Sequence, residues 1–111
     1  MEMIRQDATI EQIVREVVEF LSQYIEVEML ILYGSYAYGE PREDSDFDIA
    51  VISPDLEEMN ILDKIELFSE VALAVDCRVE LKGFGKSEFQ NPDKGSFLEM
   101  LKKKGQVVYP A

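Results

Sequence analysis

The sequence contains no histidine and only one cysteine among its 111 residues. Without histidine, catalysis by Ser-His-Asp or Cys-His arrangements is excluded, and the commonest zinc ligand is missing. The lone Cys77 cannot form an internal disulfide, which fits a reducing compartment. Any chemistry must therefore come from carboxylates, hydroxyls, backbone amides or a hard metal ion.

Basic residues are also scarce, with 11 Lys and Arg against 23 Asp and Glu and a net charge of −12. A surface of this charge repels polyphosphate backbones, so we expect no binding to long nucleic acids. A single nucleotide that arrives with a divalent cation is compatible with this charge, because the metal inverts the local field.

Long hydrophobic runs are missing as well. No segment approaches the ~18 apolar residues of a membrane span, and the first residues, MEMIRQD, lack the basic-then-apolar pattern of a secretory signal. We therefore expect a cytoplasmic protein without membrane contact. Its composition, 47% apolar and 31% charged, is that of a soluble globular protein, and we expect one domain over residues 1–111.

The patterns that are present alternate between helix and strand. Helices are predicted at residues 9–25, 56–74 and 97–104, and strands at 28–33, 47–53, 77–84 and 106–110. The first helix has one apolar stripe from Ile10 to Ile25 that includes Tyr24, and Thr9 with Gln12 forms a capping box. The order α-β-β-α-β-α-β predicts a single α+β (α/β) domain.

An acidic loop, GSYAYGEPREDSDFD, joins the first two predicted strands. Asp46 and Asp48 are two residues apart at the start of a strand, so they point to one face while Phe47 points toward the core. Two like charges at the edge of an apolar strand are costly unless a cation compensates for their desolvation. Mg²⁺ suits this role, because it takes one or two carboxylates and completes its shell with water and phosphate oxygens.

The loop begins with a Gly34–Ser35 pair. Glycine allows positive φ and close approach of a ligand, and exposed amides at such a turn form an anion nest. The Ser35 hydroxyl adds one more donor for a phosphate oxygen. An anion site facing a pair of carboxylates is typical of a metal–nucleotide site, and it suits phosphoryl or nucleotidyl transfer.

Residues 33–51, YGSYAYGEPREDSDFDIAV, resemble the signature of the minimal nucleotidyltransferases of the DNA polymerase β-like superfamily: Gly-Ser, ten residues, Asp-x-Asp. The order of the flanking elements resembles the family too, over nearly the whole chain. The resemblance implies a mixed sheet with helices packed on it. It also implies two Mg²⁺ ions on a carboxylate triad, and transfer of a nucleoside monophosphate from ATP or another nucleoside triphosphate to a hydroxyl.

The third carboxylate of the family lies on the strand after the second helix, where this sequence offers Glu80 and Asp76. Glu80 is favoured because it lies within the alternating strand, whereas Asp76 lies at a helix-to-strand junction where aspartate is a common turn residue. By resemblance, Asp46, Asp48 and Glu80 would ligate the metal, with Asp76 as the substitute for Glu80. Glu80 would also help to deprotonate the attacking hydroxyl.

The loop departs from the family pattern where many members carry arginines after Gly-Ser. Here those positions hold Tyr36 and Tyr38, which could stack on a nucleotide or pack the loop against the core. Arg42 is the only cation of the loop. We expect Gly34, Ser35 and Arg42 to be the residues that could contact phosphate.

The acceptor hydroxyl needs its own binding surface, which larger relatives place on an added helical domain. Either a partner protein brings the acceptor or two copies form a homodimer that shares the work. By resemblance, the chain would be the antitoxin of a toxin–antitoxin pair that adenylylates a separately encoded helical HEPN protein. The alternative is a non-catalytic binding module that neutralises its partner by contact. An antibiotic-modifying enzyme shares the motif but normally needs a second domain.

Overall fold

The computed structural model describes residues 9–40 and 45–110, without the side chain of Tyr38. The α-helices are α1 (Ile10–Leu21), α2 (Ser35–Tyr38), α3 (Ile61–Ala74), α4 (Lys86–Gln90) and α5 (Phe97–Lys104). The strands are β1 (Met29–Tyr33), β2 (Phe47–Ile52), β3 (Val79–Phe84) and β4 (Gln106–Tyr109). A 3-10 turn follows β2 at Pro54–Leu56. Within the described ranges no helix has the length and apolar character needed to cross a bilayer.

The strands form one mixed sheet in the order β3-β2-β1-β4, which confirms the predicted fold class. β1 pairs antiparallel with both β2 and β4, whereas β2 and β3 are parallel. The parallel pair is possible because α3 returns the chain across the sheet between them. This crossover brings the start of β3 beside the start of β2.

Both faces of the sheet are covered, because the central strands are buried on both sides. One face packs against α1 and α3, with a core that includes Ile13, Val17, Leu21, Leu30, Leu32, Ile49, Val51, Leu67 and Val71. The other face packs against the shorter α5, with a smaller core of Ile31, Tyr33, Ala50, Ile52, Leu98 and Leu101. α5 covers only part of this face of the sheet, so polar side chains of the strands at its margin reach solvent.

The first helix starts as predicted and ends earlier. The Gln12 N–H donates to Thr9 Oγ1 at 3.2 Å and the Thr9 N–H donates to Gln12 Oε1 at 2.9 Å, so the capping box is confirmed. The helix stops at Leu21, and Tyr24 is 59% exposed rather than part of the buried stripe. Ile25, after the turn, is buried again.

The second predicted helix begins five residues later than expected, at Ile61 instead of residue 56. Ser53 Oγ accepts from the Asp55 N–H at 3.1 Å and starts only the short 3-10 turn. Asn60 is the true N-cap, because its Oδ1 accepts from the Asp63 N–H at 2.9 Å. α5 begins at residue 97 as predicted, after an N-cap at Ser96, and its last turn carries three lysines, which suit the helix dipole.

Candidate active site

The site is built on the parallel strands β2 and β3. Their register places Asp48 directly beside Glu80. Both side chains lie on the sheet face that carries Ala50 and Ile52, since residues two apart on a strand share a face. The sequence alternation predicted the face of each strand, and the register now makes the two carboxyls neighbours.

Asp46 completes the group from the segment just before β2, where its side chain is exposed. Besides burial, the charges of Asp48 and Asp46 both raise the pKa of the Glu80 carboxyl, as expected for carboxyls that lie close together. The structure therefore brings the three acids together as interacting neighbours, and we call Asp46, Asp48 and Glu80 the acidic triad.

The electrostatics of the site disfavour ionisation of Asp48 and Glu80 together. Burial raises the pKa of the Asp48 carboxyl and the nearby Asp46 charge raises it further, against lowering contributions from the hydrogen bond to Glu80 and from Lys82. Desolvation is also the largest cause that raises the pKa of Glu80, followed by the charges of Asp48 and Asp46. Crowded carboxyls of this kind are typical of functional sites, where a cation can relieve the repulsion.

The Gly34 turn lies against the triad. Gly34 has φ 74° and ψ −152°, a conformation that is essentially restricted to glycine. A Cβ at this position would overlap the Asp48 carboxylate. The preceding residue, Tyr33, is the β1 partner of Asp48. The backbone at Gly34 therefore approaches the carboxylate more closely than any residue with a side chain would allow, and Ser35 follows directly as the first residue of α2.

Below the turn, a layer of packed side chains holds β2 in position. The Tyr36 ring packs on Phe47, with ring centroids 4.5 Å apart, so Tyr36 contacts the core. The Arg78 guanidinium lies 4.7 Å from the centroid of the same Phe47 ring. Because this layer holds Phe47 in place, it also fixes the positions of the adjacent residues Asp46 and Asp48.

Asp76 belongs to this supporting layer. Its side chain is fully buried, and it accepts from Arg78 Nε at 3.0 Å, from an Arg78 terminal nitrogen at 2.9 Å and from the Arg78 N–H at 2.9 Å. The ion pair raises the pKa of the Arg78 guanidinium. A carboxylate with its oxygens engaged in this way has a clear structural role, whereas Glu80 lies on the face that carries Asp48.

Lys82 is a neighbour of the triad that the sequence patterns did not single out. It follows Glu80 by two residues on β3, and its charge lowers the pKa of both Asp48 and Glu80. Its Nζ lies 5.1 Å from the centre of the Phe97 ring. The strand alternation was the available signal, because it places Lys82 on the face of Glu80. The site thus has a cation beside its carboxylates.

Two further predictions concern Arg42 and a bound metal ion. Arg42 lies outside the described residues. Among the His, Cys, Asp and Glu side chains of residues 9–40 and 45–110, no three are already arranged as a metal site. The donor chemistry of the triad, three carboxyls beside a glycine turn, nevertheless suits a hard cation, and its side chains would have to turn toward a common ion to share it.

Solved structures with a similar fold were found. A Sulfolobus solfataricus protein assigned as a nucleotidyltransferase is 21% identical, with a TM-score of 0.62 over 87% of this chain and 77% of that one. A toxin–antitoxin complex with AMP-PNP is 23% identical, with a TM-score of 0.64 over 93% and 75%. A mutant of the toxin–antitoxin MntA–HpeT is 20% identical, with a TM-score of 0.60 over 87% and 73%. At these identities the likeness shows the fold.

No curated protein matches the sequence. A family model does: residues 15–110 match the one described as Polymerase beta, Nucleotidyltransferase. That range runs from the second turn of α1 to the end of β4, so it includes the sheet, the Gly34 turn and the acidic triad. The chain belongs to the polymerase beta nucleotidyltransferase family.

Proposed function

We propose that the chain transfers a nucleoside monophosphate, AMP in particular, from a nucleoside triphosphate to a hydroxyl on a partner protein. The observation that carries this proposal is the pairing of Asp48 with Glu80 across β2 and β3, beside the Gly34 turn. Family membership supplies the reaction class. The similar fold of a complex crystallised with AMP-PNP favours an adenine nucleotide as the donor.

In this proposal the acidic triad holds Mg²⁺, with two ions as the family resemblance implies. Bound Mg²⁺ supplies charge neutralisation for the triphosphate. The chain's own residues orient the reactants: the Gly34–Ser35 backbone and the Ser35 hydroxyl contact phosphate oxygens, and Lys82 adds a positive charge beside them. Arg42, in the same loop, is a further candidate for a phosphate contact.

The chemistry is one substitution at the α-phosphorus. The acceptor oxygen forms a bond to phosphorus, the bond to the pyrophosphate oxygen breaks, and pyrophosphate leaves. The acceptor loses its proton to the Glu80 carboxylate, which lies beside Asp48 in the parallel pair of strands. Positioning and charge neutralisation supply most of the catalysis in this class.

We propose that the acceptor belongs to a separately encoded helical protein of the HEPN type, with this chain as the antitoxin of the pair. The fold is shared with two toxin–antitoxin complexes. A homodimer that shares the acceptor site is the other arrangement that we propose for the acceptor.

Labelling tests the proposal directly. The purified chain is incubated with ATP carrying an α-phosphate label, Mg²⁺ and the protein encoded by the adjacent gene. We expect label on a hydroxyl side chain of that protein, and none with Asp46→Asn or with chelator. Glu19→Gln on α1, which lies on the opposite face of the sheet, is the matched control and should label normally. Equal labelling by wild type and Asp46→Asn would contradict the proposal.

A second candidate function is neutralisation of the partner by contact alone. It is favoured by Tyr36, which occupies a position where many relatives carry an arginine and which packs on Phe47 against the core. Titration with Mg²⁺·ATP separates the two functions. A catalytic chain binds the complex at micromolar to millimolar concentrations and loses it in Asp48→Asn, whereas a contact module shows no such binding.

A further inference from the structure

The outer surface of α3 exposes four large apolar side chains. Their exposed fractions are 71%, 74%, 55% and 71% for Ile61, Leu62, Ile65 and Leu73. On a helix with 100° between residues, the four fall within roughly 120° of the circumference. We call them the α3 apolar arc. They lie on the side of the helix away from its buried Leu67 and Val71, so the core does not account for them.

An acidic row borders the arc. Asp63, Glu66 and Glu70 are exposed and follow one another at spacings of three and four residues, which places them along one line of the helix. We call them the α3 acidic row. The helix thus has three longitudinal strips in turn: the buried strip, the apolar arc and the acidic row.

Single exposed apolar side chains are common and need no explanation, and Tyr24 and Val107 are of that kind on other elements. A contiguous arc on one helix is different, because large exposed apolar patches mark interaction sites. The arrangement of an apolar strip beside charges of one sign is typical of a surface that receives an amphipathic helix.

We propose that the α3 apolar arc docks a basic amphipathic helix of a partner protein, with its apolar stripe on the arc and its Lys or Arg side chains along the acidic row. Charge complementarity selects this occupant, since the row is acidic and the whole chain carries a net charge of −12. The inference rests on the partner proposed above and names the surface that meets it.

The same charges disfavour two other arrangements, an antiparallel pairing with a second copy and contact with an anionic membrane. In an antiparallel two-fold pairing of α3 with a second copy, both acidic rows would lie on the same side of the interface and repel each other. An anionic membrane surface would be repelled by the row in the same way.

Binding of two synthetic helical peptides tests the proposal. Both are about 20 residues long, enough for a helix in isolation, with the same leucine stripe. One carries lysines beside the stripe and the other glutamates. Fluorescence anisotropy with the full chain, without nucleotide, should show at least about tenfold tighter binding of the lysine peptide, weakening with salt. Leu62→Ser/Leu73→Ser should abolish this binding, and Glu66→Lys/Glu70→Lys should reverse the preference.

Matched controls lie on another surface. Val107→Ser and Glu11→Lys, at the groove between α1 and β4, should leave peptide binding unchanged. The α3 variants should keep Mg²⁺·ATP binding and thermal stability, so failed docking and failed nucleotidyl transfer are distinguishable. The proposal is overturned if the lysine peptide does not bind, if the α3 variants bind it normally, if α3 mediates a dimer in light scattering, or if phosphatidylserine vesicles bind the arc.

Discussion

The fold favours the protonated form of the Asp48 carboxyl, whereas the proposed metal site requires the ionised form. It lies partly buried between the Gly34 turn and Glu80, and its pKa is raised by desolvation and by Asp46. The folded, metal-free chain therefore holds the Asp48 proton more tightly than the unfolded chain does. A group whose folded pKa is raised contributes stability at low pH that is lost as the pH rises through the folded pKa. The proposed function needs the ionised carboxylate, and the fold without a cation disfavours it.

Asp48→Asn should accordingly stabilise the metal-free protein at neutral pH. Asparagine resembles the protonated carboxyl, so the variant and wild type should differ little below the ordinary carboxyl range. Above it, we expect the variant to be more stable by up to about 1 kcal/mol, the scale of repulsion between partly solvated charges. Thermal unfolding across pH with chelator present measures this difference. A variant less stable than wild type at neutral pH would contradict it, and Glu19→Gln on α1 is the control.

At the scale of elements, the turn from β1 into α2 determines how closely backbone and carboxylate approach. Gly34 and Gly95 both have positive φ, 74° and 78°, but a Cβ at Gly34 would overlap Asp48 whereas nothing lies within 4 Å of one at Gly95. The two glycines share a positive φ and differ in their surroundings. Alanine substitutions at the two positions therefore distinguish the effect of backbone strain from an effect on the site.

Gly34→Ala should destabilise the chain by about 1–3 kcal/mol, the cost of a strained backbone, and should also weaken Mg²⁺·ATP binding because Asp48 is displaced. Gly95→Ala should lose stability through its positive φ alone, with nucleotide binding intact. Urea unfolding and calorimetric titration measure the two effects. If both variants bind nucleotide as wild type does, the turn has no role in the site.

The buried pair of Asp76 and Arg78 lies at the start of β3, below Phe47. Asp76→Ala should lower the free energy of unfolding by about 3–5 kcal/mol, because it leaves a buried guanidinium without its main counter-charge. Asp76→Ala/Arg78→Met should recover much of this loss in urea unfolding. Glu80→Gln should instead retain stability and lose Mg²⁺·ATP binding. An Asp76→Ala protein of unchanged stability that fails to bind nucleotide would make Asp76 the third ligand.

Elements that carry a local signal were predictable from the sequence. The caps at Thr9 and Ser96 involve residues three apart, and both helices start where predicted. The start of α3 was predicted wrongly because Pro54 and Asp55 look like a helix start, yet they form only a 3-10 turn before Asn60 caps the helix. The four-residue α2 is too short to show a periodic pattern.

At the scale of the whole molecule, the sheet order decides which acids meet. Sequence motifs identified Asp46 and Asp48 as a pair, and alternation favoured Glu80 over Asp76. That Asp48 and Glu80 are register partners depends on the parallel pairing of β2 and β3, which is a long-range contact that no local pattern encodes. The exposed α3 apolar arc could not be predicted either, since helical spacing does not reveal which apolar residues the core covers.

Charge is the other property of the whole molecule that bears on function. A chain with a net charge of −12 repels free nucleotides, so binding of a triphosphate should depend on an accompanying divalent cation. The acidic triad and Lys82 are the groups on this face that would meet such a complex. The central claim is therefore that the three carboxylates together hold a metal–nucleotide complex.

Electron paramagnetic resonance of free Mn²⁺ tests this claim most directly, with a non-hydrolysable ATP analogue present and the chain titrated in. The account predicts that wild type removes Mn²⁺ from solution and that Asp46→Asn, Asp48→Asn and Glu80→Gln each weaken this binding by at least about tenfold, or ~1.4 kcal/mol. Asp63→Asn, on the α3 acidic row, should bind as wild type does. Equal Mn²⁺ binding by wild type and the three triad variants would contradict the account.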